Sequence, residues 1–164
     1  MSRAVLSLGS NLGERLEHLR LAVHGFGEDV VVTSAVYETE PWGVRDQPRF
    51  LNAVIVVAAD GLDEWGWLRR GQALEAQAQR RREQRWGPRT LDVDVVTVDG
   101  VHSDHPDLVL PHPGTPSRAS VLVPWLEADP EAVLPGHGPV RDLAAALSKE
   151  ERDTLHRRPD LPLH

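Results

Sequence analysis

The densest chemistry in the chain lies in Arg89-Thr90-Leu91-Asp92-Val93-Asp94-Val95. In an extended strand, residues two apart project from one face, so Asp92 and Asp94 share a side while Leu91, Val93 and Val95 share the other. Two carboxylates with Cα atoms about 7 Å apart repel when both are ionised, and a divalent cation between them removes the repulsion. Magnesium suits two carboxylates completed by waters and phosphate oxygens. The same D-x-D pattern would also serve as the polar outer face of an edge strand. Upstream, the stretch from Arg69 to Arg89 holds seven arginines and two acids, Glu75 and Glu83. Such an island is a candidate polyanion site, although a solvated helix face would read the same way. Carboxylates for metal beside guanidinium groups are what a nucleoside triphosphate needs. The chain has no Gly-x-x-x-x-Gly-Lys-Ser/Thr run, so it is no P-loop enzyme, and it lacks a kinase-type glycine-rich loop.

The elements that must position these groups follow from periodicity. Arg3 to Leu8 reads as a strand ending in Gly9-Ser10-Asn11. Leu12, Leu16, Leu19, Val23 and Phe26 form one helical stripe, with Asn11 as its expected cap and Gly25 and Gly27 at its end. Asp29 to Glu38 and Phe50 to Ala59 read as strands separated by a loop rich in breakers. A helix is expected from Leu62 to about Gln79, capped by Asp60 or Asp63 and broken near Gly87-Pro88. A strand over Thr90–Asp99 follows. A Pro/His-rich loop spans His105–Pro116, with short helices near Ser117–Glu127 and Val140–Leu147. This order predicts an α+β fold: a ferredoxin-like βαββαβ antiparallel sheet covered by helices, with a helical C-terminal segment. Residues 1–147 are expected to form one domain and residues 148–164 a polar, loosely held tail.

Composition narrows the function further. The 164 residues are 40% hydrophobic and 26% charged, an ordinary balance for a globular domain. No run approaches the roughly eighteen apolar residues of a membrane span. Eighteen basic against twenty-five acidic residues give a net charge of −7, which argues against general nucleic-acid binding. The absence of cysteine excludes a thiol nucleophile, a disulfide scaffold and any cysteine-held metal. Met1 to Leu6 runs into Gly9 before a leader core could form, so a cytoplasmic protein is expected.

Four blocks, in order, carry a family resemblance: Leu8-Gly9-Ser10-Asn11-Leu12-Gly13; Tyr37-Glu38-Thr39-Glu40-Pro41-Trp42-Gly43 with Phe50-Leu51-Asn52-Ala53; Arg85-Trp86-Gly87-Pro88-Arg89-Thr90-Leu91-Asp92-Val93-Asp94; and Leu110-Pro111-His112-Pro113 with Arg118-Ala119. Over about residues 4–136 the chain resembles the 6-hydroxymethyl-7,8-dihydropterin pyrophosphokinases of folate biosynthesis. The resemblance implies diphosphoryl transfer from ATP to the pterin hydroxymethyl oxygen, with release of AMP. It implies two magnesium ions on Asp92 and Asp94, and charge stabilisation by Arg80, Arg82 and Arg89. ATP would meet Gln72, Glu75, Trp86, Arg89, His112 and Arg118; the pterin would meet Thr39, Trp42, Phe50 and Asn52. ATP and the pterin are the expected partners of a monomer, with neither nucleic acid nor membrane. The alternative is a catalytically weak relative that still binds Mg–ATP and serves as a partner-binding or assembly module, which the intact Asp92/Asp94/Arg89 set argues against. The chain departs from the family pattern at Gln79, at Glu40 and at Ser120, where a second aromatic for the pterin is usual. Trp42 is the candidate substitute for that ring face.

Overall fold

The computed structural model describes residues 1–40, 48–80 and 90–164, with the side chain of Arg80 excepted. Its principal sheet is built on β1 (Ser2–Ser10), which pairs antiparallel with β4 (Phe50–Ala59) on one side and β5 (Asp92–Val98) on the other. β3 (Val36–Thr39) extends the sheet beyond β4, and β10 (Leu155–Arg158) beyond β3; β2 (Val30–Thr33) also pairs with β4. The central strands alternate, apart from one register shift between β1 and β5 at Val5/Leu6. Leu6, Leu8, Ala53, Ile55, Val93 and Val95 face one side with α1 (Arg15–Phe26) and α2 (Glu64–Arg80). Val5, Val54, Val56 and Val96 face the other, against α3 (Ala119–Ala128) and α4 (Val140–Ala145). Sheet faces covered in this way bury their apolar sets on both sides. This is the α+β, ferredoxin-like arrangement expected, with β4 bounded as read from the sequence.

Four local expectations change. The helix read from Leu12 begins at Arg15, because Gly13 turns at φ 70° and accepts from Arg15 N–H. Asn11 does not cap it: α1 has no side-chain cap, and Asn11 is buried. The strand read over Asp29–Glu38 is interrupted at Ser34-Ala35. Ser34 Oγ accepts from Val54 N–H and donates to Ala35 O, while Ala35 N–H turns away to Glu127 Oε1 at 2.8 Å. At the start of the Pro/His-rich loop, β6 (Ser103–His105) and β7 (Leu108–Leu110) form a small hairpin, and further on β8 (Val133–Leu134) pairs with β9 (Gly138–Pro139). Asp63, by contrast, caps α2 as expected, accepting from Gly66 N–H at 2.8 Å.

The fourth change is at the C-terminus. Residues 148–164, expected as a loose tail, form α5 (Lys149–Asp153) and β10, and Leu163 is buried in the α1/α2 layer. The sequence of β10, Leu155-His156-Arg157-Arg158, is too polar to signal a strand. It is held by pairing with β3 and by ions: Arg158 bridges Glu38 at 3.3 Å and Asp160 at 2.8 Å.

Glu127 fastens the C-terminal end of α3. It accepts from Ala35 N–H, from the Tyr37 hydroxyl at 2.9 Å and from Arg157 at 2.9 Å. These donors hold its carboxyl below the ordinary value although burial works the other way. Burial, reinforced by the Glu127 charge, pushes the Tyr37 phenol up to about 12. A folded-state value raised above the unfolded one contributes stability at and below the unfolded value that is lost as pH climbs through the folded one. Tyr37 is the only tyrosine in the chain, so its phenolate absorbance reads this site alone. Alkaline titration of the native protein should give an ionisation near 12 rather than 10, and Glu127→Gln should move it down. A native midpoint at 10 would mean that the Tyr37–Glu127 contact does not form in solution.

Candidate active site

Strand register builds the floor of a cavity between the sheet and the start of α3. Gly9 of β1 is opposite Asn52 of β4 on one side and Asp92 of β5 on the other. Two residues along, on the same face, Ser7 lies between Val54 and Asp94. Ser7, Gly9, Phe50, Asn52, Asp92 and Asp94 therefore share the α3 face and line one cavity. Gly9 keeps this floor open. A Cβ there would stand 3.2 Å from Asn52 Oδ1 and 3.7 Å from the Phe50 ring, closer to the amide than such atoms comfortably sit.

At the β4 end, Asn52 donates through Nδ2 to Thr39 Oγ1 at 2.7 Å, and both residues are buried. That bond orients the amide, which retains a carbonyl oxygen and a second N–H for a ligand. Phe50 lies beside it, opposite Thr39 in the ladder. This end offers a flat apolar surface next to a paired donor and acceptor, which suits the edge of a nitrogen heterocycle.

At the β5 end the charge is negative. β5 is a sheet edge, and Val93 N–H is taken by Glu75 Oε2 of α2 at 2.9 Å. The close approach of α2 depends on Gly71, where a Cβ would lie 2.9 Å from Val93 Cγ1. Burial raises the Glu75 carboxyl to about 7; the Val93 N–H opposes the shift, and the neighbouring carboxylates Asp92 and Asp94 reinforce it. The D-x-D residues thus occupy an edge strand and also form part of a cavity. Among the described residues no three metal-binding side chains converge into a ready cage. A pair of carboxylates such as Asp92 and Asp94 has the chemistry of a donor set that magnesium accepts when substrate oxygens and waters complete its shell.

The loop after β7 brings His112 to this end. His112 N–H bonds Val96 O at 2.8 Å, Nδ1 is 2.8 Å from Pro113 O, and Nε2 lies 4.0 Å from Asp94 Oδ1. Thr115 Oγ1 donates to His112 O at 2.8 Å and fixes the turn. Arg118, exposed, and Ser120 reach the cavity from the start of α3. A shallower depression lined by Leu68, Val95, Leu108, Val109 and Pro113 lies beyond His112, which borders both.

Of the residues predicted from sequence, Thr39, Phe50, Asn52, Asp92, Asp94, His112 and Arg118 line the one cavity. Glu75 joins through its contact with Asp92. Gln72 is exposed on α2, one turn before Glu75, and is not part of the lining. Trp42, Arg82, Trp86 and Arg89 lie outside the described residues; Arg80 ends α2. Sequence reasoning missed Glu151 and Thr154, which line the cavity from the C-terminal segment. The available signal was Ser148-Lys149-Glu150-Glu151, a capping-box spacing that marks a helix start.

The family model described as 7,8-dihydro-6-hydroxymethylpterin-pyrophosphokinase (HPPK) matches residues 5–130. The chain belongs to the HPPK family. Curated relatives bearing the name 2-amino-4-hydroxy-6-hydroxymethyldihydropteridine pyrophosphokinase agree. That of Mycobacterium tuberculosis is 42% identical over 94% of this chain and 89% of its own length. That of Mycobacterium leprae is 45% identical over 92% and 84%, and that of Bacillus subtilis 38% over 76% of each. The fold resembles a solved HPPK-DHPS in complex with substrates, with a TM-score of 0.72 over 95% of this chain at 12% identity. A Plasmodium falciparum HPPK-DHPS gives 0.70 over the same share at 14% identity. This chain spans 46% of the length of each of those two solved chains.

In this HPPK-family chain, the raised Glu75 carboxyl predicts a pH dependence of the metal-free protein. A carboxyl raised in the folded state contributes stability present in acid and lost as pH rises from its ordinary 4.5 through about 7. Glu75→Gln should therefore flatten the fall in thermal stability between pH 5 and pH 8, measured in chelator. An unchanged slope would show that the folded protein does not hold the Glu75 carboxyl above its ordinary value.

Proposed function

We propose that this chain transfers the diphosphoryl group of ATP to the hydroxymethyl group of 6-hydroxymethyl-7,8-dihydropterin, releasing AMP. The observation that carries this reading is the row Asn52–Gly9–Asp92. It sets a heterocycle-binding amide and a cation-binding carboxylate on one open floor, one strand apart on either side of a glycine. The family membership gives the same reaction.

The pterin takes the Asn52 end, its ring against Phe50 and its polar edge at Asn52 and Thr39, with Trp42 contributing from the following loop. ATP takes the β5 end, its phosphates near Asp92, Asp94, His112 and Arg118. The apolar depression beyond His112 suits a nucleobase, and Gln72, Glu75 and Trp86 complete this side. The hydroxymethyl oxygen attacks the β-phosphorus. An O–P bond forms, the bond from the β-phosphorus to the oxygen bridging the α-phosphorus breaks, and AMP leaves while the hydroxyl proton passes to solvent. Two magnesium ions held by Asp92 and Asp94 would neutralise the phosphates and acidify the substrate hydroxyl, so that no dedicated general base is required. Arg80, Arg82 and Arg89 would balance charge on the transferring group. Catalysis of this kind is positioning and charge stabilisation.

AMP should appear only when ATP and the hydroxymethyl-dihydropterin are both present; AMP from ATP alone would contradict the reaction. Asp92→Asn and Asp94→Asn should each abolish turnover while keeping the native circular dichroism, because each also relieves repulsion. Near-normal turnover of both in saturating magnesium would remove the metal assignment. Arg89→Ala should slow the chemical step by roughly two to three powers of ten, as for other lost transition-state donors. A change confined to the KM for ATP would reduce Arg89 to ground-state binding.

A further inference from the structure

The cavity wall beside β3 is made by a segment beyond the family match, which ends at residue 130. Glu151 Oε1 accepts from the backbone N–H of Ala119, the first residue of α3, at 2.9 Å. Thr154 Oγ1 donates to Glu151 O at 2.7 Å, and Thr154 O accepts from Glu40 N–H at 3.1 Å. Ser148 holds the start of α5 by accepting from Glu151 N–H at 3.1 Å. In an ordinary capping box the glutamate would turn back on its own helix; here its carboxylate is used on another one.

The bond to Ala119 matters because Ala119 is fully buried. Its N–H is an open donor of the first turn of α3, and no other acceptor is recorded for it among the described residues. Glu127 fixes the far end of α3, so Glu151 sets the near end, where Ser120 and Val121 reach the cavity. Arg118 has a separate tether, its N–H to Thr115 O at 3.2 Å. Asp92 and Asp94 are held by strand pairing with β1, and His112 by its bonds to Val96 and Thr115.

We infer that Glu151 is a positioning residue for the pterin, acting through Ala119 to hold the start of α3 over the ring-binding end of the cavity. Thr154 braces Glu151 from behind. The segment from 148 to 154 thereby becomes the pterin wall beside the small Ser120. The inference rests on the assignment of the Asn52 end to the pterin.

The test titrates the full chain with a non-hydrolysable ATP analogue alone, then with a pterin analogue in its presence, below the melting transition of every variant. Glu151→Ala should weaken pterin binding by about tenfold, the scale of a lost charge-assisted hydrogen bond, while ATP-analogue affinity stays within about twofold. Steady-state rates should show a raised KM for the pterin with kcat retained. Glu151→Gln should restore affinity, since its Oε1 accepts the same N–H. Thr154→Val, which leaves that bond in place, should weaken pterin binding by roughly threefold. Wild-type affinity in both Glu151→Ala and Thr154→Val, equal loss of both ligands, or a Glu151→Gln variant as defective as Glu151→Ala would each overturn the inference. Wild-type protein that binds the ATP analogue but no pterin would overturn the functional reading itself, and this inference with it.

Discussion

The register of β1 is the constraint on which the site depends. β1 is hydrogen-bonded on both edges, to β4 and β5, and strand pairing leaves no freedom to slide: a one-residue slip would send every side chain to the opposite face. The buried sets on both faces of the sheet enforce this. Leu6 and Leu8 must meet α1 and α2, while Val5 must meet α3 and α4. Once they do, Gly9 can only fall between Asn52 and Asp92. Two chemically different ends of one cavity are thus set by apolar packing in which neither end takes part.

The helices then adjust each end separately. On the α2 side, Gly71 permits contact with Val93, and the helix delivers Glu75 to the sheet edge. The result is a concentration of carboxylates that is electrostatically costly until cations or protons arrive. On the α3 side the helix is held at its two ends by glutamates outside the cavity floor. Glu127 is within the helix itself and Glu151 is contributed by α5. The wall over the Asn52 end therefore depends on contacts that are remote in sequence from the residues beneath it.

The family's sequence blocks and the cavity lining coincide on β1, β4, β5 and the His112 loop, where chemistry is carried by fixed residue types at fixed spacing. They part at the C-terminal segment. There the chain contributes backbone pairing, a carboxylate on a buried N–H and a carbonyl on Glu40 N–H, contacts that many sequences could make. Comparison by residue identity is insensitive to such contacts.

The sequence by itself determined the alternation within β1, β4 and β5, the helical stripe ending at Phe26, a cap for α2 at Asp60 or Asp63 and the grouping of Asp92 with Asp94, because each follows from local period or spacing. It also supplied the family's blocks. Only the tertiary structure decided that Asn11 is buried instead of capping, since Gly13 had to turn before the helix could start. It likewise decided the break at Ser34-Ala35, which exists because Val54 and Glu127 bond that backbone from elsewhere in the chain. Above all it decided the fate of residues 148–164. Nothing in a polar strand of four residues or a helix of five announces a partner. Their order comes from β3, Glu38 and the open N–H of Ala119, groups as far as 120 residues away, whose need for a partner appears only when the chain has folded.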